Sequence, residues 1–208
     1  MPKITYLFPT HVLVQESTGI VLDQDTVDTL ISMDYKPSYH GVDMATGMSL
    51  NKQVLDLPIL EPIRQAIDVQ LKHIITRLYG FYDYTGIRIT QSWLVHGTNQ
   101  QHHHPHTHSN SFLSGVFYIR ASDTDSIVFT KGGEYDRVNI QVKHREVSPL
   151  SKDRYSISVL TGDLIIFSSH TTHTVTPITS SEPRLSLAFN TFLTGTLGHS
   201  DSANELIL

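Results

Sequence analysis

The residues best suited to chemistry in this chain are histidines. Of its 13 histidines, His96, His102, His103, His104, His106 and His108 fall within one window of 13 residues. There is no cysteine, so thiolate zinc, iron–sulfur clusters, disulfides and a cysteine nucleophile are excluded together. Any metal here sits on nitrogen and oxygen. Two histidines one residue apart on an extended strand project to the same side, because the side-chain period of a strand is two. The window offers that clamp as His102/His104, His104/His106 and His106/His108, and spacing alone does not choose among them. A facial triad needs a third ligand from a distant strand and leaves three positions open on the metal. His173 meets the need: Gly162 and Asp163 form a turn, the apolar run Leu164 to Phe167 follows, and a short polar corner ends at His173. Further on, Arg184 and Ser186 share one face of what reads as the last strand. A guanidinium and a hydroxyl so placed make a receptor for a carboxylate, through bidentate charge-assisted bonds and one O–H donor.

Positioning these groups takes a β scaffold, and the sequence after Gly86 has the texture of one. Segments rich in β-branched and aromatic residues at 87–95, 114–120, 126–130, 137–143, 154–160, 163–168, 173–178 and 184–193 are separated by turn clusters, with no helix between them. That spacing predicts an antiparallel β-sandwich or barrel. Ahead of it, residues 4–14 read as an opening strand or edge segment interrupted by Pro9. Asp23 to Met33 reads as a short helix begun by an aspartate, and 34–56 as a long loop over a site. From Pro58 to Tyr79, apolar residues recur at three and four, and Gly80 stops the helix. The chain is thus mainly β with N-terminal helices packed on one sheet. At 208 residues it is one domain: a helical support region over 1–86, a core over 87–194, and a loosely held tail over 195–208.

Composition narrows the partners. A net charge of −5 without a long Lys/Arg run argues against a duplex nucleic acid. The longest apolar runs fall far short of a bilayer span, and the N-terminus lacks a signal-peptide core, so no membrane partner and a cytoplasmic location are expected. A homodimer is compatible with the sequence. His11, His40, His73, His144 and His199 read as structural or exposed. His103 and His104 read as orienting donors, substrate contacts or a solvated strand edge, Trp93 as core, Asp163 as a turn residue, and Lys131-Gly132-Gly133-Glu134 as a loop between strands.

Three motifs in order carry a family resemblance: His106-Thr107-His108-Ser109-Asn110-Ser111-Phe112-Leu113-Ser114-Gly115-Val116-Phe117-Tyr118, then Gly162 to Ser169 with His173, then Arg184-Leu185-Ser186-Leu187-Ala188-Phe189-Asn190. They make the chain similar to the 2-oxoglutarate-dependent Fe(II) oxygenases found in phages and marine bacteria, over roughly residues 89–193. Leu7-Phe8-Pro9-Thr10 resembles that family's start as well. The resemblance implies a double-stranded β-helix (jelly roll) holding Fe(II) through His106, His108 and His173. It implies that Arg184, helped by Ser186 and Tyr118, binds the far carboxylate of 2-oxoglutarate. The superfamily's usual triad is His-x-Asp with a distal histidine. Here His108 stands at the aspartate position, which leaves the site one charge unit more positive, and three imidazoles suit Zn(II) as well as Fe(II).

The activity so implied is hydroxylation, using O2 and coupling decarboxylation of 2-oxoglutarate to succinate and CO2 with oxidation of a prime substrate. Ascorbate is a supporting reductant in vitro. A peptide or protein side chain is favoured as substrate, with residues 34–56 and 96–105 shaping specificity, in the cytoplasm of a bacterium or phage-infected host. The rival readings are a cupin-like three-histidine dioxygenase that does not use 2-oxoglutarate and a non-enzymatic metal-binding jelly-roll module from a phage. Arg184 and Ser186 speak against the first, which has no need of a carboxylate receptor. At the ordinary imidazole pKa of ~6.5, metal would be released as pH falls toward 5.

Overall fold

In the computed structural model the residues described are 5, 9–38, 44–131, 145–146, 148 and 151–208. The strand expected over 137–143, together with His40 and His144, lies outside them. In chain order the elements are β1 (Val12–Gln15), α1 (Gln24–Ile31), β2 (Tyr35–Pro37), β3 (Gly47–Ser49), α2 (Glu61–His73), β4 (Thr85–Gly97), β5 (His103–His106), β6 (Leu113–Arg120), β7 (Ser126–Thr130), β8 (Arg154–Ser158), β9 (Leu164–Ser168), β10 (His173–Val175), β11 (Arg184–Leu197) and β12 (Leu206–Ile207). The larger sheet has the order β1-β9-β6-β11-β4-β3-β2, with β12 beside β11, and the smaller sheet β5-β10-β7-β8. From β4 onward the chain passes back and forth between the sheets. This is the double-stranded β-helix that the resemblance implied.

Strand periodicity assigns the two faces of the larger sheet. On β6, Leu113, Phe117 and Ile119 face α1 and α2, while Val116 and Tyr118 face the smaller sheet. On β9, Leu164 and Ile166 take the helix side, and Ile165 and Phe167 meet Ile127 and Phe129 of β7. Both faces are covered, which is why these strands read as nearly unbroken apolar runs. α2 buries Ile63, Ile67 and Leu71, a stripe at helical spacing whose members contribute roughly 1.5–3 kcal/mol each. The helix continues through a π turn at Ile74–Leu78, and Gly80 ends it with φ +67. Asp23 caps α1, its carboxylate accepting from Thr26 N at 2.8 Å. No helix among the described residues is long and apolar enough to cross a membrane.

Four expectations change. Residues 34–56 are not simply a loop: β2 and β3 extend the larger sheet from the edge of β4, with Met48 opposite Val95. The partner strand's open edge organises them, a cause no local pattern reveals. Strand structure in 4–14 is confined to Val12–Gln15 among the described residues. The tail is held, since Gly195 and Leu208 exchange backbone bonds of 3.0 Å in both directions and Leu206 pairs with Leu197. Finally, His103–His106 is itself a strand, at the edge of the smaller sheet where Pro105 is tolerated.

The fit between neighbouring strands of the larger sheet is close at Gly115, which lies between Phe189 of β11 and Ile166 of β9. A Cβ there would clash with the Phe189 ring and sit 2.8 Å from the Ile165 carbonyl oxygen. Backbone cannot step aside as a side chain can. Gly115→Ala is therefore expected to destabilise the fold by about 1–3 kcal/mol, read as a lowered midpoint in thermal or urea denaturation.

Candidate metal centre and carboxylate pocket

The cluster begins with a register. Where β10 pairs with β5, His173 lies directly opposite His106, so residues far apart in sequence meet side by side. His108 lies two residues past the end of β5, and its backbone N–H donates to the Ser169 carbonyl at 2.9 Å, tying that corner to the end of β9. One ring nitrogen from each of His106, His108 and His173 lies within 4.8 Å of the others. No Asp or Glu among the described residues joins them. Of the three clamps that the spacing left open, the fold selects His106 with His108.

Hydrogen bonds settle which nitrogens face inward. His106 Nδ1 donates to the His104 carbonyl at 2.8 Å, and His173 Nδ1 donates to the Thr171 carbonyl at 3.0 Å. His108 Nδ1 donates to Asn190 Oδ1 at 2.6 Å, and Ser114 Oγ donates to the same oxygen at 2.8 Å. Ser114 Oγ in turn lies 2.8 Å from Ser169 Oγ. Each Nδ1 carries its proton toward an oxygen acceptor, so each Nε2 keeps its lone pair for the centre of the cluster. His108 Nε2 is buried without a hydrogen-bond partner in the protein. A neutral, tautomer-fixed imidazole set of this kind fits a divalent transition metal.

Burial keeps the rings neutral. It is the leading cause that pushes His173 down to about 3, reinforced by the neighbouring His106 and His108 and opposed by the bond to Thr171. His106 is pushed down to about 4, again by burial first, with the His104 carbonyl opposing. His108 is lowered by burial against the opposing bond to Asn190. His103, beside His106 at 4.4 Å between ring centroids, is held at about 3 by burial and then by the adjacent imidazoles.

The cluster forms one end of a cavity of about 410 Å³ between the sheets. Arg184 and Ser186 line it on the same face of β11, as the sequence spacing predicts. Arg184 is buried, and its Nη1 donates to Asp125 Oδ1 at 2.7 Å and to the Thr176 carbonyl at 3.1 Å. Both Nη1 hydrogens are thereby used. Arg184 Nη2 is buried without a partner in the protein, and so is the Tyr118 hydroxyl. Burial, with Asp125 and Asp163 adding to it and Arg184 opposing, holds the Tyr118 phenol well above its ordinary value; it remains an O–H donor. Tyr118 stands opposite Ser186 in the β6–β11 register but is not among the residues lining the cavity; the orphaned Arg184 nitrogen fits one end of a dicarboxylate, as the orphaned imidazole nitrogen fits a metal.

The structure also corrects readings of the surroundings. Trp93 is not core: it is half-buried, lines the cavity, and stacks on His108 with ring centroids 5.8 Å apart. His103 and His104, on the edge strand β5, line the same cavity and stack on each other at 5.1 Å. His96 points to the opposite face of β4, against Tyr35. Asp163 is a turn residue as expected, accepting from Ser17 N and Leu160 N. Sequence reasoning missed Asn190 and Asp125. Asn190 shares strand parity with Arg184 and Ser186, a signal that was available. Asp125 had none, since its partner Arg184 is 59 residues away.

Known proteins resemble this chain in fold and, over its core, in sequence pattern. No curated protein matches the chain in sequence. Among solved structures, the alpha ketoglutarate dependent epimerase SnoN from nogalamycin biosynthesis superposes with a TM-score of 0.61 at 13% identity, over 89% of this chain and 81% of its own. HygX from Streptomyces hygroscopicus, solved with nickel, 2-oxoglutarate and hygromycin B, gives 0.56 at 14% identity over 88% and 82%. A Pseudomonas putida prolyl-4-hydroxylase gives 0.53 at 15% identity over 87% and 92%. At such identities the likeness is one of fold. The model of the 2OG-Fe(II) oxygenase family matches residues 91–190, from the first strand of the jelly roll to the asparagine behind His108. Over that core the chain is similar to the 2OG-Fe(II) oxygenases, enzymes whose cofactors are Fe(II) and 2-oxoglutarate.

Proposed function

We propose that this enzyme is a hydroxylase that holds Fe(II) with Nε2 of His106, His108 and His173 and anchors the far carboxylate of 2-oxoglutarate with Arg184, Tyr118 and Ser186. The observation that carries the reading is the pair of orphaned donors, Arg184 Nη2 and Tyr118 Oη, buried in the same inter-sheet layer as three inward-facing imidazole nitrogens. When bound, Fe(II) with 2-oxoglutarate and O2 supplies the oxidising chemistry, releasing succinate and CO2.

The chain's own residues hold, orient and exclude. The His104 and Thr171 carbonyls and Asn190 Oδ1 keep the three rings in the coordinating tautomer. Val116, Ile127 and Ala188 line the interior and keep bulk water from the buried donors, which strengthens each bond made there. Thr107, exposed at the cavity lining, marks the way in. A site of about 410 Å³ is at the small end for ligand pockets, and it must hold the cosubstrate too. The space left suits one amino-acid side chain or a comparably small group, seated against Trp93, Met48 and the His103–His104 stack. A peptide or protein side chain is accordingly the substrate proposed.

The cosubstrate reading is tested by adding Fe(II) and 2-oxoglutarate to the anaerobic protein. A weak visible charge-transfer band is expected, and succinate once air is admitted. Iron bound with neither band nor succinate would sink the assignment.

Ligand choice separates His108 from its neighbour His104. His108→Ala should abolish tight metal binding measured by titration with Co(II), whereas His104→Ala should keep it. The reverse order would make His104/His106 the clamp.

The pH dependence follows from the lowered pKa values. The folded rings take up protons only near 3–4, against ~6.5 in the unfolded chain. The unfolded state therefore binds more protons between these limits. The metal-free protein is expected to be most stable above pH 6.5 and to lose stability progressively as pH falls toward 4. With the rings neutral to lower pH, metal content after dialysis is expected to persist at pH 5 and fall toward pH 4, below the range that ordinary histidines would give.

A further inference from the structure

Arg184 and Asp125 form an ion pair that joins the two sheets deep in the molecule. Their side chains are 4% and 1% exposed, with Nη1 2.7 Å from Oδ1. Arg184 opens β11 of the larger sheet, whereas Asp125 immediately precedes β7, and Thr176 immediately follows β10, in the smaller one. A pair this deep is a poor device for stability, because desolvating both charges offsets most of their attraction. Its geometry indicates another use.

A guanidinium carries its N–H donors in one rigid plane. Asp125 Oδ1 and the Thr176 carbonyl take both hydrogens of Nη1, so the group cannot turn without breaking two bonds. Asp125 is itself fixed, since Ser122 donates to its Oδ2 from the backbone N–H at 2.9 Å and from Oγ at 3.2 Å. The direction of Nη2 is therefore set before any ligand arrives. Charge agrees with geometry. Three neutral imidazoles leave Fe(II) its two positive charges, and Asp125 cancels that of Arg184, so the site matches a dianion. The extra positive unit that His108 introduced is removed at the far end of the cavity.

We propose that Asp125 is a positioning residue for the cosubstrate. Acting through Arg184, it presents Nη2 to the far carboxylate and so makes the enzyme select a 2-oxo diacid over a 2-oxo acid lacking the second carboxylate. This rests on the role given above to Arg184.

The test is a calorimetric titration of the Zn(II)-loaded protein with 2-oxoglutarate and with 2-oxopentanoate, which shares the reacting end but has no far carboxylate. Asp125→Asn supplies one acceptor oxygen where Ser122 and Arg184 require two. It is expected to weaken 2-oxoglutarate about tenfold or more, the scale of a hydrogen bond to a charged group, while 2-oxopentanoate stays within about twofold. Equal losses for both acids would reduce Asp125 to a structural role and overturn the proposal, as would an unchanged affinity for 2-oxoglutarate. A wild-type protein that binds both acids equally would remove the Arg184 reading, and this one with it. Should Asp125→Asn fail to fold, the Zn(II)-loaded wild type decides: on adding 2-oxoglutarate, the NMR resonances of the Arg184 Nη2 hydrogens should shift while those of Nη1 stay. Equal shifts at both nitrogens would overturn the proposal.

Discussion

The pairing of β10 with β5 is the constraint on which the site depends. It sets His173 beside His106 across one strand boundary, and every other group at the metal end is arranged around that pair. Register is exacting here because a slip of one residue turns each side chain to the other face. Neighbouring bonds hold it: Thr174 Oγ1 donates to the His103 carbonyl, and β7 pairs with β10 on its other side. An edge strand as short as β5 is weak alone. It is fixed because its partner is already embedded in the sheet.

Neutral imidazoles in a dry cleft carry a cost that the fold spreads over several elements. Each ring gives its Nδ1 proton to an oxygen drawn from a different place: β5 itself, the corner before β10, and β11 across the cleft. Asn190 is the most telling of these acceptors. Its oxygen also accepts from Ser114, which packs against Ser169, so a short polar network is buried behind His108. An aspartate at position 108 would need no chosen tautomer. The histidine there does, and Asn190 with its serine neighbours meets that need. At the opposite end of the cavity Asp125 plays the matching part for Arg184, and the two assemblies together link β6, β7, β10 and β11.

The helical side of the larger sheet serves the site indirectly. Leu94, Leu113, Phe117, Leu187 and Phe189 pack against α1 and α2, which anchors the sheet whose other face carries Trp93, Tyr118, Arg184 and Asn190. β2 and β3 add to this face from the N-terminal region. Met48 and Ser38 consequently reach the cavity wall from a segment with no regular sequence pattern.

The sequence by itself determined what depends on local pattern: the absence of thiol chemistry, the strands of alternating or unbroken apolar residues, a long helix within 58–79, and the shared face of Arg184 and Ser186. It also placed His106, His108 and His173 together through a resemblance in motif order, though histidine spacing left three clamps equivalent. Only the tertiary structure decided among them, because the choice rests on which residue β10 faces and on where Asn190 stands. The same holds for β5, whose Pro105 and histidines have little strand preference and which exists through its pairing, and for Trp93, whose strand parity becomes a cavity position only once the second sheet is in place. Asp125 is the clearest case. Nothing near it in the chain announces a partner 59 residues away, and an ion pair between two sheets becomes legible only when both sheets are assembled.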